Sequence, residues 1–401
     1  MSQAPRSAAF ARGFSLMELM VSMAIAMVLL AALASVFTRS ISAREKIDLE
    51  GQKIETARYS LDTLAEDIRL AGYYGTLAPS LSGATLVNGA TPTDWKYVDP
   101  CSTATGSQAG WDSSTNPIQV PFAIFGYEAH TSPLPSTQPS TLPTCMDNYK
   151  IGTDVFVVRR ASTSTVTAGG TGYVAGDPYL QVSTCPDGAV DALPAQPPPF
   201  IAKATTTSTD FNLHSLGCTP TTPGANAPAR KLLTRIYYIS KCDDCANNLD
   251  NDASTTGDGV PTLKMLELGI PSSGGTTMAM NLRTIAPGVE NMHLEYGIDT
   301  DDNGSINAWV VSNIDPRQTG STGTPVTDMR LDGSTENRWE DVMAIKLFLI
   351  TRDSKKTTGH VDTKSFILGT KTVAAAGDAY YRRLMSSTIK LVNLASRREA
   401  P

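Results

Sequence analysis

Between Leu19 and Phe37 every position is apolar except Ser22 and Ser35, and about 20 such residues carry a helix across a bilayer. Past this run the pattern turns amphipathic. Ile54, Ala57, Leu61, Leu64, Ile68 and Ala71 recur at spacings of 3, 4, 3, 4 and 3, which lays one apolar stripe along an α-helix. Glu55, Arg58, Asp62, Glu66, Asp67 and Arg69 lie between the stripe positions and are expected on the outward sides. Gly72 follows the stripe as a candidate C-terminal cap, because glycine adopts the left-handed conformation that closes a helix. One helix from Phe14 to Ala71 would be roughly 87 Å long at about 1.5 Å per residue.

From Tyr73 onward the period changes to short apolar or alternating runs between turn-rich stretches. Asp154–Arg159, Leu233–Ile239, Thr262–Leu268, Val289–Tyr296, Val342–Ile350 and Thr388–Leu394 read as strands. In the fourth, Val289 and Asn291 share one face while Met292, Leu294 and Tyr296 take the other. The stretches 132–144 and 194–228 are rich in Pro, Ser and Thr and are expected as loops or insertions. No internal repeat is evident.

Length and composition narrow this picture. A chain of 401 residues, 41% hydrophobic, leaves enough beyond the helix for one large domain or two small ones with a core. The net charge is −6, and no run of Lys or Arg stands out. The pairs Arg382–Arg383 and Arg397–Arg398 read as solvated surface, and no nucleic-acid partner is expected. The cysteines Cys101, Cys145, Cys185, Cys218, Cys242 and Cys245 form an even set beyond the apolar run. Such a set points to disulfides in an oxidising compartment such as a bacterial periplasm. Sequence neighbours are expected to pair (101 with 145, 185 with 218, 242 with 245), since each pair would close a loop rich in turn residues.

Glu18 stands near the start of the apolar run, where a carboxylate at membrane depth is costly and usually functional. Arg6 and Arg12 with Ala32-Leu33-Ala34 fit a cleaved secretory signal, although the apolar run is long for one. The same arginines before a span fit a plain membrane anchor with its leader held cytoplasmic. A third reading accounts for glycine and glutamate together. Gly13-Phe14-Ser15-Leu16-Met17-Glu18 resembles the processing site of type IV prepilins and type II secretion pseudopilins. The resemblance implies cleavage by a prepilin peptidase between Gly13 and Phe14, N-methylation of Phe14, and an assembly salt bridge from Glu18 to the new amino group of a neighbouring subunit. A buried charge left alone is expensive, so such a pair would act as an assembly and register device.

The segments of the body, in their order, resemble the PilW family of minor pilins. They are ARYSLDTLAEDIRLAGYYG, DVFVVRRA, RIYYIS, GVPTLKMLEL, GVENMHLEYGID, WEDVMAIKLFLITR and YYRRLMSSTIKLVNL. The fold this implies is α+β and type IV pilin-like, a long amino-terminal helix packed on an antiparallel β-sheet head with long disulfide-tied loops. Residues 1–13 would be the leader, 14–37 the transmembrane or filament-core helix, 38–72 its amphipathic continuation and 73–401 a β-rich head outside the cytoplasm. The implied function is that of a minor pilin incorporated in a type IV pilus and helping to initiate its assembly. A J-type minor pseudopilin of type II secretion shares this plan, and an adhesive tip module ordered by calcium is the other alternative. Implied partners are other minor pilins, the major pilin, the prepilin peptidase, the inner-membrane assembly platform and a tip adhesin. The chain would sit in the bacterial inner membrane with its head in the periplasm, and later in the cell-surface pilus.

Little else in the chain could carry chemistry. Asp299, Asp301, Asn303, Ser305 and Asn307, with Gly304 between, follow the D-x-D-x-N-G pattern of a calcium loop. The twelfth position, normally a bidentate Glu, is Val310, so Asp315 or another outside ligand would have to complete the site. The competing reading is a polar turn before Ala308-Trp309-Val310. Cys242-Asp243-Asp244-Cys245 has C-x-x-C spacing, yet lacks the helix start of a redox pair and the further ligands that zinc needs. A structural disulfide is the favoured reading. The acidic run 247–252 has no loop glycine and reads as a solvated turn. His130, His214, His293 and His360 are scattered, and no hydrolase, P-loop or dinucleotide motif occurs. No enzymatic activity is expected.

Overall fold

The computed structural model describes residues 15–79, 93–115, 118–128, 142–186, 191, 200–222, 224–246, 257–299, 303–311 and 339–395. Two compact units divide the chain, 1–52 and 53–401. The described part of the first unit is helical, and its side chains from Ser15 to Ile41 are all exposed. Helix α1 (Leu16–Leu70) starts there and ends in the second unit.

Within the second unit, α1 turns the expected stripe into a buried seam. Ala57, Leu61, Leu64, Ile68 and Ala71 are buried and most of them join the main core. Two positions depart from the sequence pattern. Ile54 is 39% exposed, and the buried residue at that level is Lys53. Lys53 meets Asp353 at 2.9 Å and lies over the Tyr381 ring, so a charge pair rather than an aliphatic contact closes the seam. Asp67, expected on an outward side, is also buried. It occupies the seam by helical spacing, three residues after Leu64 and four before Ala71. Gly72 ends the helix at φ +72° and donates its N–H to the Arg159 carbonyl at 3.1 Å.

The strands of the second unit are β1 (Thr93–Lys96), β2 (Ile118–Pro121), β3 (Ile124–Tyr127), β4 (Val155–Ala161), β5 (Pro178–Val182), β6 (Phe200–Ala204), β7 (Ala229–Ser240), β8 (Thr262–Gly269), β9 (Ala279–Pro287), β10 (Val289–Ile298), β11 (Ala308–Val310), β12 (Val342–Arg352), β13 (Phe366–Leu368), β14 (Lys371–Val373) and β15 (Arg382–Lys390). One antiparallel sheet is organised by β7, which pairs β4 on one edge and β5 then β8 on the other. Strands β3, β6 and β9 extend it. A second sheet runs β11-β10-β12-β15, also antiparallel. A parallel pair β1-β2 and a hairpin β13-β14 complete the described strands. The whole is an α+β fold.

Both faces of the central strands are covered. In β10, Met292, Leu294 and Tyr296 are buried as the alternation requires, but His293 and Glu295 on the opposite face are buried as well. One core cluster joins α1 to both sheets. At its centre Trp339 meets Tyr296 edge-on at 5.0 Å and Phe125 at 6.3 Å. Gly126 makes this possible, because a Cβ there would stand within bonding distance of the Tyr296 hydroxyl.

Five of the six expected strands lie within β4, β7, β8, β10 and β12 or overlap their ends. The sixth, Thr388–Leu394, is displaced, since β15 ends at Lys390 and a short helix α2 (Val392–Ala395) comes after it. The buried positions Ile389, Leu391 and Leu394 step by two and then by three, so one apolar run changes from strand to helical period. Strand β6 falls in the stretch 194–228 expected as a loop, and β1, β2, β3 and β5 lie where no strand is expected, because segments of four or five residues are too short to show a period. The pair Arg382–Arg383 is not simply surface. The Arg382 side chain is only 5% exposed and binds Glu290 at 2.5 Å, Asp378 at 2.6 Å and Asp362 at 2.9 Å. Arg397 and Arg398 lie outside the described residues.

Asp67 is where helix and sheet are fastened. Its carboxylate accepts hydrogen bonds from Arg160 Nε (3.0 Å) and Nη2 (2.8 Å) on β4. From β7 it accepts Arg235 Nη1 (2.8 and 2.7 Å) and the Tyr237 hydroxyl (2.5 Å). Burial alone would raise its pKa, but the charge of Arg235, the bonds from Arg235 and Tyr237, and the charge of Arg160 hold it below the usual carboxylate range. Removing one partner of such a buried group costs about 3–5 kcal/mol. Asp67→Ala is therefore expected to lose stability of that order in urea unfolding of the detergent-held chain. Asp62→Ala, whose side chain is 77% exposed, should change it by less than about 0.5 kcal/mol. A carboxyl with a depressed folded pKa contributes stability above its unfolded value, near 3.8, and loses it as pH falls through the folded one. The Asp67-dependent difference should accordingly persist at pH 7 and shrink below about pH 4.

Candidate functional site

The first candidate region is the start of α1. Gly13 and Phe14 lie outside the described residues, and Ser15 and Glu18 are the first site residues in view. Glu18 Oε2 accepts the Ser15 backbone N–H at 3.0 Å, while Ser15 Oγ accepts the Met17 N–H at 3.2 Å. The Ser15 carbonyl takes the first intrahelical bond, from Leu19 at 3.1 Å. Ser15 is thus the N-cap and Glu18 closes a capping box, each satisfying an amide the helix leaves unpaired. The positive end of the helix dipole favours a carboxylate at the same point. Ser15 was not singled out from the sequence, although S-x-x-E before an apolar run is the signal for this arrangement.

Beyond Glu18 the helix presents an apolar surface without a partner. Leu16, Met17, Leu19, Met20, Val21, Met23, Ile25 and their successors to Phe37 are more than half exposed. Among the described residues α1 is the one helix long and apolar enough to cross a membrane. Lipid or other apolar helices must cover it, because leaving that area in water forfeits about 25 cal/mol per Å².

The second region is the loop joining β10 to β11. Asp299 is buried; its Oδ2 accepts the Gly304 N–H at 2.8 Å and its Oδ1 the Asn303 N–H at 3.3 Å. Asn303 Oδ1 accepts the Ser305 N–H at 2.8 Å, and the Asn307 N–H reaches the Ile298 carbonyl at 3.0 Å. The described part of this loop is therefore a turn organised by Asp299, with Gly304 at φ +81°. Asp301 and Asp315 lie outside the described residues, and Val310 stands in β11 opposite Tyr296. Among the described residues, no group of three or more His, Cys, Asp or Glu could hold a metal ion.

The six cysteines form three bridges, Cys101–Cys145, Cys185–Cys218 and Cys242–Cys245. The first fastens the segment after β1 to the segment before β4. The third closes a tight turn after β7, where the Asp258 carboxylate accepts the Asp243 and Asp244 N–H groups at 3.0 and 3.2 Å. Lys264 Nζ lies 3.5 Å from Cys245 Sγ and 3.0 Å from the Asp243 carbonyl. The acidic run 247–252 lies outside the described residues. The histidines stand apart from one another. His214 bonds Asp191 at 2.6 Å, His293 bonds Asp154 at 2.7 Å and His360 stacks on Tyr381, while His130 lies outside the described residues.

Residues 236–393 match the family model described as type IV pilus-assembly protein W. Residues 10–34 match the prokaryotic N-terminal methylation motif. The first match runs from β7 to α2 and the second covers Gly13, Phe14 and Glu18. No curated protein matches the chain. Among solved structures, a type IV-like pilin from Thermus thermophilus is 12% identical over 40% of this chain and 79% of that one, with a TM-score of 0.18. That likeness adds nothing to the fold drawn from the chain itself. The two family matches bear out the resemblance to a PilW-type pilin with a prepilin-like start. They give the chain a pilin role, as a structural protein rather than an enzyme.

Asp299→Ala would leave the Asn303 and Gly304 amides without their acceptor, at a cost of about 1–3 kcal/mol. Urea unfolding in a chelating buffer is expected to show that loss, because the turn depends on the carboxylate itself. A stabilisation by added calcium that the variant abolishes would give Asp299 a second role as a ligand.

Proposed function

We propose that this chain is a minor pilin, cut between Gly13 and Phe14, N-methylated on Phe14, and incorporated where it helps a type IV pilus to begin assembling. The observation that carries this reading is the methylation-motif match over residues 10–34, which takes in the start of a helix whose apolar side chains are exposed. Before cleavage Glu18 holds the Ser15 amide, so its charge has a local partner at the membrane surface. Cleavage would create an ammonium on Phe14, one residue before that amide. A neighbouring subunit's ammonium offers Glu18 a full opposite charge, and apolar packing of adjacent helices would exclude the water that screens the pair.

Arg6 and Arg12 would keep the leader cytoplasmic, leaving the head in the periplasm, where three disulfides are at home. Other minor pilins, the major pilin, the prepilin peptidase and the inner-membrane platform are the partners this route requires. The same chemistry could build a J-type subunit of a secretion pseudopilus. The match of residues 236–393 to the W-type pilus-assembly protein favours the pilus.

Intact mass spectrometry of the membrane-extracted protein is expected to read a chain that begins at methylated Phe14. An uncut leader, or cleavage after Ala34, would sink the processing step. Glu18→Ala should still be processed, yet its amount in sheared filaments should fall on the order of tenfold for the loss of the buried pair. Normal incorporation of that variant would remove the assembly role of Glu18.

A further inference from the structure

Arg159 and Arg160 are neighbours on β4 with different fates. Arg160 is neutralised by Asp67 at 2.8 Å. Arg159 is 5% exposed, and no carboxylate pairs with it among the described residues. Its Nη2 donates to the Val98 carbonyl at 2.8 Å, its Nη1 to the Phe122 carbonyl at 3.3 Å, and its guanidinium lies 5.0 Å from the centre of the Phe125 ring. A guanidinium has five N–H groups, and these contacts use two. Asp99 acts on Arg159 only through space, since its Oδ1 accepts the Cys101 N–H at 3.0 Å. Burial accordingly pulls the Arg159 pKa down. A buried cation without a counter-ion is rare and costly.

Arg159 lines a cleft open to solvent, between the segment fastened by Cys101–Cys145 and strands β4 to β7. The rest of the wall is mainly apolar, including Val98, Pro100, Ala104, Trp111, Ala202 and Leu232. Of the other charges that line it, Lys203 is held by Asp210 at 2.9 Å and Arg160 by Asp67, while Asp99 acts on Arg159 without an ion-pair contact. Among the described residues Arg159 is thus the one cation of the wall outside an ion pair. A ligand suited to this cleft carries one negative group for the guanidinium and an apolar body for the remainder. A planar carboxylate meets the guanidinium fork with two parallel hydrogen bonds.

We propose that this cleft binds a small carboxylate with a short apolar body, its oxygens held by the free N–H groups of Arg159. Such binding would give the head a small-molecule site separate from the helix start that serves assembly.

The test titrates sodium butyrate into the full-length chain in detergent, at constant ionic strength maintained with sodium chloride. Binding is followed by tryptophan fluorescence, because Trp111 lines the cleft, and by the thermal midpoint. The expected result is a saturable fluorescence change and a midpoint rise on the order of 2 °C at ten times Kd, with neither produced by 1-butanol or sodium phosphate. Arg159→Gln should weaken butyrate at least about tenfold. If that variant does not fold, Ala104→Phe decides the matter, since it fills the cleft while leaving both carbonyl bonds of Arg159 in place, and it should weaken butyrate by a similar factor. No saturable response in the folded wild type, an equal response to phosphate, or undiminished binding in Ala104→Phe would each overturn the proposal.

Discussion

A buried carboxylate joins the end of the helix to the sheet in this protein. Asp67 draws two arginines and a tyrosine from β4 and β7 onto the last turns of α1. The apolar seam of Leu64, Ile68 and Ala71 supplies area, but area is non-directional and would tolerate sliding. Charge-assisted hydrogen bonds fix register and rotation, because each has a narrow geometry and leaving any of them unmade inside the core is expensive. Lys53 with Asp353 acts likewise at the other end of the seam. The helix is thereby fastened at two levels by ions and between them by hydrocarbon.

The same economy of charge runs through the head. Glu290 gathers Arg382 and Lys150, and Asp154 holds His293. The partners come from distant segments, β10 with β15 and β10 with the residues just before β4. The amino-terminal stretch differs in kind, because its apolar side chains from Leu16 to Phe37 are exposed. Glu18 and Ser15 satisfy the helix start locally, which leaves the apolar surface behind them as the part that needs other molecules.

Much of the scaffold was legible from periodicity alone. The 3–4 stripe located the buried side of α1 to within one residue, and the long alternating runs located β4, β7, β8, β10 and β12. Short strands were not legible, because four or five residues cannot display a period and their pairing is set by neighbours distant in sequence. The charged positions misled most. Asp67 and Arg382 were expected outward, yet Asp67 is buried and the Arg382 side chain is nearly covered, because partners from distant segments compensate them. At the candidate site, Gly13, Phe14 and Glu18 stood out by their spacing, whereas Ser15 passed unnoticed beside them. Arg159 could not have been found at all, since the absence of an ion pair to it among the described residues is a property of its surroundings.

What the sequence determines by itself is therefore local: the apolar span, the amphipathic helix after it, the longer strands, the prepilin-like start and an even set of cysteines. Each arises from chemistry between residues close along the chain, where spacing fixes geometry. The tertiary structure decided which charges are buried and with what, how the short strands pair, and where a cleft opens beside an unpaired guanidinium. Those outcomes depend on residues tens to hundreds of positions apart, and only the folded chain brings them within hydrogen-bonding distance.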